Sequence, residues 1–126
     1  MDPIGPKTVL YIEDSPINVL LVQAIFAPLS AQLFIAGDGS AGLELARQHR
    51  PHLILLDMNL PDMDGIAFIK QLRGDPAIAG LSVVVVSADE LLEERKPLAA
   101  LGVADFLIKP FDIGEFERLV ERYLID

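Results

Sequence analysis

A parallel α/β sheet covered by helices on both faces is the fold class this sequence predicts, and three observations predict it. Five short apolar runs, rich in β-branched residues, alternate with stretches of helical periodicity. The strongest runs are apolar throughout rather than at every second position, as strands buried from two sides are. Each intervening stretch is long enough for a crossover helix and carries start and stop signals, which favours parallel pairing through right-handed crossovers.

The elements follow in order. Residues 9–12 (VLYI) form the first strand, and Ser15 and Pro16 supply the N-cap and first residue of a helix that Pro28 ends. Residues 32–36 (QLFIA) make a weaker strand, before a helix over residues 40–48 that buries Leu43 and Ala46 and stops before Pro51. Residues 53–56 (LILL) are the third strand, and the third helix spans 66–72, with Gly74 and Pro76 beyond it. Residues 83–86 (VVVV) are the fourth strand. A fourth helix is expected over residues 90–101, but Pro97 sits inside it. A proline there removes an N–H and costs about 3 kcal/mol in a regular helix interior, so a kink or break near Arg95 is expected. Residues 106–108 (FLI) are the fifth strand, and a helix over 113–123 closes the chain, with Asp112 and Glu115 as an acidic capping box.

At 126 residues the chain is one domain, residues 8–126, behind a loose lead-in at 1–7. Hydrophobic residues make up 52%, yet no apolar run approaches the roughly 18 needed to cross a membrane. Residues 1–5 (MDPIG) do not read as a signal peptide, and with no cysteine neither disulfides nor a thiolate metal site is available. A cytoplasmic location without membrane attachment is the expectation. A net charge of −9 argues against nucleic-acid binding and favours cations and protein surfaces as partners.

In an open α/β sheet, ligands bind beyond the carboxyl ends of the strands. Glu13 and Asp14 follow the first run, Asp57 and Asn59 the third, Ser87 and Ala88 the fourth, Lys109 and Pro110 the fifth. Carboxylates near 4 Å apart repel by roughly 4 kcal/mol per pair at an effective dielectric of about 20. A divalent cation relieves that repulsion, and all-oxygen ligands suit Mg²⁺ or Mn²⁺ better than zinc. With the metal and Lys109 screening a phosphoryl group, and Ser87 and the Ala88 N–H beside it, the central carboxylate, Asp57, can attack phosphorus in line.

The segments YIEDSP, LLDMNLPDMDG, VSA and LIKPF, in that order, resemble those of a response-regulator receiver domain, the CheY-like fold of two-component signalling, over residues 8–124. The resemblance implies a flavodoxin-like (βα)5 sheet of order 2-1-3-4-5 with five helices. It implies that Asp57 takes a phosphoryl group from a histidine kinase or phosphotransfer protein. Asp14 and Asp57 would ligate Mg²⁺ directly, Glu13 through water and Asn59 through its backbone carbonyl. Ser87 and Lys109 would bind the phosphoryl group together with Ala88. Ser87 and Phe106 would form the switch, and a cis peptide bond would precede Pro110. The chain would then be a signalling phosphoacceptor that assists its own phosphorylation and dephosphorylation rather than an enzyme.

Two features depart from the pattern. Phe106 lacks the hydroxyl that many members carry, so a switch there works through ring packing, and Pro97 disturbs the face used for output. Asp62, Asp64 and Gly65 read as turn chemistry, and His49 and His52 as solvated. A phosphorylation-independent scaffold and a Mg²⁺-dependent aspartyl-phosphate phosphatase are the competing readings. The phosphatase reading lacks a second acid, because Asn59 stands two residues after Asp57, and no insertion is long enough for a cap. Small polar neighbours at Asn59 and Asp89 favour a phosphoryl lifetime of seconds to minutes, an order-of-magnitude expectation. No output region follows the last helix, so the chain reads as a stand-alone regulator or a receiver cut from a longer protein.

Overall fold

The computed structural model describes residues 7–87 and 95–124. Strands β1 (Thr8–Ile12), β2 (Gln32–Ala36), β3 (Leu53–Asp57), β4 (Val83–Ser87) and β5 (Asp105–Ile108) form one parallel sheet in the order β2-β1-β3-β4-β5. The chain steps outward from β1 to β2, returns past β1 to β3, and then continues outward to β5. Strand order therefore reverses between β1 and β3, where the departing loops diverge and leave a crevice. Ile12 pairs with Leu56, Asp57 with Val86, and Ser87 with Ile108, so these four strands end together along one edge.

Helices α1 (Pro16–Phe26) and α5 (Ile113–Leu124) cover one face; α2 (Gly39–His49), α3 (Gly65–Gly74) and α4 (Arg95–Ala100) cover the other. Side chains along a strand alternate between faces. Val9, Tyr11, Leu53, Leu55, Val84, Val86 and Leu107 accordingly pack against α1 and α5, while Leu10, Ile12, Ile54, Leu56, Val83 and Val85 pack against the other helices. The sheet separates two cores, which is why its inner strands needed apolar residues at every position. The weaker signal of residues 32–36 has the converse cause, because β2 is an edge strand with an exposed-to-intermediate burial pattern.

Side-chain caps set the helix starts. Ser15 caps α1, its hydroxyl accepting from the Asn18 N–H at 3.4 Å; Asp38 caps α2 through the Ala41 N–H at 2.7 Å; Asp64 caps α3 through the Ala67 N–H at 2.7 Å. Asp112 does the same for α5 through the Glu115 N–H at 2.7 Å. Asp64 is thus a helix cap as well as a turn residue, and α3 starts one residue earlier than its apolar pattern suggested. Helix α2 ends through Arg50, whose left-handed φ of 45° sends its N–H back to the Ala46 carbonyl, rather than through Pro51. Residues 88–94 lie outside the described residues, and with them the start of the expected fourth helix and its break near Arg95. Pro97 is the third residue of α4, and its carbonyl accepts from the Leu101 N–H at 3.2 Å.

Phe68 on α3 is fully buried in the core under α2, α3 and α4. Gly42 lets α2 approach that core closely, since a Cβ there would stand 2.6 Å from Ile12 Cδ1 and 3.3 Å from the Phe68 ring. With so little slack for collapse, Phe68→Ala should destabilise the protein by about 3–5 kcal/mol in urea unfolding, with an unchanged m-value. A loss below about 1 kcal/mol would show that the helices close over the gap.

Candidate functional site

Among the described residues, the buried polar or charged side chains are Glu13, Asp57 and Ser87, and all three stand at the carboxyl edge of the sheet. Asp57 is the last residue of β3, the central strand, and Glu13 follows β1. Alternation carries both toward the face of α1 and α5, the face on which Tyr11 and Leu55 lie. Lys109, just beyond β5, reaches them from the far side of β4. Its Nζ is 2.6 Å from Glu13 Oε1 and 3.9 Å from Asp57 Oδ1. Its N–H donates to the Ser87 carbonyl at 2.7 Å, and the Lys109–Pro110 bond is cis, as the resemblance implied.

Glu13 is the most heavily bonded group of the site. Its Oε1 accepts from the Tyr11 hydroxyl at 2.9 Å, the Lys109 ammonium at 2.6 Å and the Asn18 side-chain amide at 3.3 Å, while the Ser15 N–H approaches Oε2 at 3.5 Å. Asp57 has fewer donors: the Asn59 N–H points at Oδ1 at 3.3 Å. Burial, followed by hydrogen bonding to Glu13 and its charge, therefore pushes the Asp57 carboxyl up to about 7, with Lys109 and the Asn59 N–H opposing. For Glu13, burial pushes upward, but hydrogen bonds with Asp57, Lys109 and Tyr11 prevail and hold it below the usual glutamate value. Burial, and then the charge of Glu13, push the Tyr11 phenol far above its ordinary range, so it stays a proton donor.

Asp14 completes the cluster from the solvent side. One carboxylate oxygen from each of Glu13, Asp14 and Asp57 lies within 4.8 Å of the others. Three acids facing one lysine leave a surplus of negative charge, while burial first and Glu13 second raise Asp57. An all-oxygen donor set with unrelieved charge fits a hard divalent cation.

The structure thus brings Glu13, Asp14, Asp57 and Lys109 together. Ser87 is 1% exposed at the end of β4, and by alternation its side chain belongs to the opposite face of the sheet from Asp57. Phe106 is half-buried against the core on that opposite side. Asn59 is exposed and meets Asp57 through its amide. Ala88 and Asp89 lie outside the described residues. Tyr11 and Asn18 are site residues that sequence reasoning missed. The signal for Tyr11 was available, since a strand period of two puts residues 11 and 13 on one face. Two bland readings also change. Asp62 is more than a turn residue, because its carboxylate accepts from the Gly39 and Ser40 N–H groups at 2.7 and 2.9 Å and ties the β3–α3 loop to the start of α2. The histidines are exposed but engaged: His49 stacks on Phe34 at 4.0 Å, and His52 Nδ1 lies 3.0 Å from the Thr8 N–H.

A family model described as the response regulator receiver domain matches residues 9–121. The chain belongs to this family. Receiver domains are parts of two-component signalling, phosphoacceptors generally not classed as enzymes. This chain is 29% identical over 121 residues to the polar-differentiation response regulator DivK of Brucella anthropi, covering 96% of this chain and 98% of that protein. It is 34% identical over 110 residues to the probable transcriptional regulatory protein TcrX of Mycobacterium tuberculosis, covering 87% of this chain but 46% of that longer protein. Among solved structures, the receiver domain of a sensor histidine kinase from Pseudomonas aeruginosa, with a magnesium ion coordinated in the active site cleft, superposes with a TM-score of 0.84 at 26% identity, covering 95% of this chain and 98% of that one. The signal receiver domain of a LuxO repressor protein from Vibrio parahaemolyticus gives a TM-score of 0.87 at 26% identity, covering 94% and 90%. Receiver domains bind Mg²⁺ at this acidic site, and the acid cluster here fits that ion. Among the described residues, no helix of this receiver domain is long and apolar enough to cross a membrane.

The raised Asp57 value makes a pH-dependent claim about stability. Folding lifts Asp57 from 3.8 to about 7, so the metal-free folded state binds a proton more tightly than the unfolded chain and loses stability as pH rises through that window. Asp57→Asn removes the liability. In EDTA at pH 8 it should unfold at higher denaturant than the wild type, by on the order of 2 kcal/mol, and the difference should close near pH 4. Equal stability of the two proteins at pH 8 would mean that Lys109 and the Asn59 N–H already offset burial and the charge of Glu13.

Proposed function

We propose that Asp57 accepts a phosphoryl group from the phosphohistidine of a histidine kinase or phosphotransfer protein and that the resulting charge changes the shape of a protein-binding surface. The observation that carries this reading is the environment of Asp57: a central carboxylate, 6% exposed, beside two further acids and within 3.9 Å of a lysine ammonium. An Asp57 oxygen forms the new P–O bond as the N–P bond of the donor breaks, and the donor imidazole nitrogen leaves with the electron pair. The Asn59 N–H holds Asp57 in place, and Lys109 takes up charge on the phosphoryl oxygens.

Asp14 and Asp57 would hold Mg²⁺ (or Mn²⁺) directly, with Glu13 acting through water and Asn59 through its carbonyl. The bound ion would supply positive charge to neutralise the phosphoryl oxygens. Ser87 and the Ala88 N–H bind the same group, and Ser87 and Phe106 act as the switch. In support, Ser87 ends β4 and Phe106 lies on the neighbouring β5, paired with Val85 two residues before the serine. Residues 8–126 act as the receiver unit, in the cytoplasm, and partners are proteins rather than nucleic acid or membrane. Asn59, exposed beside Asp57, admits a water that returns the domain to its resting state.

Incubation with Mg²⁺ and acetyl phosphate should add the mass of one phosphoryl group, and Asp57→Asn should abolish that gain in intact-mass spectrometry. No gain with acetyl phosphate, phosphoramidate or a phosphohistidine protein would sink the reading. The phosphorylated form should decay over seconds to minutes at neutral pH, an order-of-magnitude expectation, whereas survival for many hours would contradict the role given to Asn59.

A further inference from the structure

Tyr11 is fully buried on β1, and the strand residues that share its apolar core are Val9, Leu53, Leu55, Val84, Val86 and Leu107. A phenylalanine would fill the same space without burying a hydroxyl, so a phenol here requires a partner. The partner is Glu13 Oε1, which accepts from Tyr11 at 2.9 Å while also accepting from Asn18 at 3.3 Å and Lys109 at 2.6 Å. A carboxylate oxygen has about two lone-pair sites, so three donors saturate Oε1. Oε2, approached by the Ser15 N–H at 3.5 Å, is left as the oxygen with capacity for a further partner.

We propose that Tyr11 is a positioning residue for the cation site: its buried phenol, anchored in the α1/α5 core, fixes the Glu13 carboxylate so that Oε2 is the oxygen presented toward the ion held with Asp14 and Asp57. This rests on the reading of the acid cluster as a Mg²⁺ site. Two features of Tyr11 suit it to the task. A phenol has two side-chain torsions, both closed by packing, so it holds its acceptor with little entropic freedom. It also remains on Glu13 when Lys109 turns to a phosphoryl group. Lys109 is shared between Glu13 and Asp57, and its departure would otherwise leave Glu13 with the amide of Asn18 as its remaining side-chain donor. Glu13 meets the ion through water, so Tyr11 steadies an outer partner of the site, and loss of such partners in metal sites costs about 10–100-fold in affinity.

Tyr11→Phe, which keeps the core volume, should weaken Mg²⁺ binding by about tenfold in calorimetric titration, with unfolding cooperativity retained. In a Glu13→Gln background the same change should have no further effect, because Tyr11 acts through that carboxylate. A merely structural tyrosine would give an equal effect in both backgrounds. The chain also contains its own reporter: it has two tyrosines, Tyr11 and Tyr123, and no tryptophan. In Tyr123→Phe, which leaves the site untouched, Mg²⁺ should shift the near-ultraviolet absorption of Tyr11 with the same midpoint as the calorimetric curve. Affinity of Tyr11→Phe within about twofold of the wild type, an equal loss with and without Glu13, or an unmoved Tyr11 spectrum would each overturn the proposal. A wild-type protein that takes up a phosphoryl group and binds Mg²⁺ while Tyr11→Phe binds equally well sinks this inference alone. A wild type that does neither sinks the cation-site reading with it.

Discussion

The sharing of one lysine between two buried carboxylates is the interaction around which this molecule is arranged. Glu13 and Asp57 are almost without solvent, and Lys109 lies against the first and within reach of the second. Buried charges are expensive unless paired and hydrogen-bonded, and here the pairing is incomplete. Tyr11, Asn18 and Lys109 satisfy Glu13, while burial and then the neighbouring Glu13 raise the proton affinity of Asp57. A purely structural edge would replace these acids with apolar residues at a gain in stability. Their retention makes sense for a group that must remain short of positive charge until a cation and a phosphoryl group arrive.

The sheet makes that arrangement possible by sorting side chains. Alternation directs Glu13, Asp57 and Lys109 to one face and Ser87 and Phe106 to the other. The residues that gather charge and those that would report it are therefore separated by one layer of backbone, each group backed by its own apolar core.

Opposite demands are met at the two ends of the strands. At the amino ends of β4 and β5, Arg73 at the foot of α3 donates to the carbonyls of Ala79, Leu81, Leu101 and Gly102, at 2.7 to 3.1 Å. One guanidinium thus satisfies carbonyls from two loops and joins α3 to the α4–β5 turn, where Gly102 takes a φ of 80° that favours glycine. Here four guanidinium donors each find a carbonyl acceptor. At the carboxyl ends three carboxylates, Glu13, Asp14 and Asp57, face one ammonium, Lys109, and negative charge is left over.

By itself the sequence determined the fold and the composition of the site. Both follow from local properties: doubly apolar runs with β-branched residues, capping residues before helical stretches, and acids, a serine and a lysine at or just beyond the carboxyl ends of strands 1, 3, 4 and 5. The tertiary structure decided how the charges divide. That Lys109 lies closer to Glu13 than to Asp57, that a core tyrosine and Asn18 join them, and that Asp62 reaches across to the start of α2 all depend on distances between segments far apart in the chain. Hydrogen bonds and desolvation act over a few ångströms in space and carry no mark of sequence separation. A linear reading can name the groups that will meet, but the balance among them exists only once the sheet has brought them together.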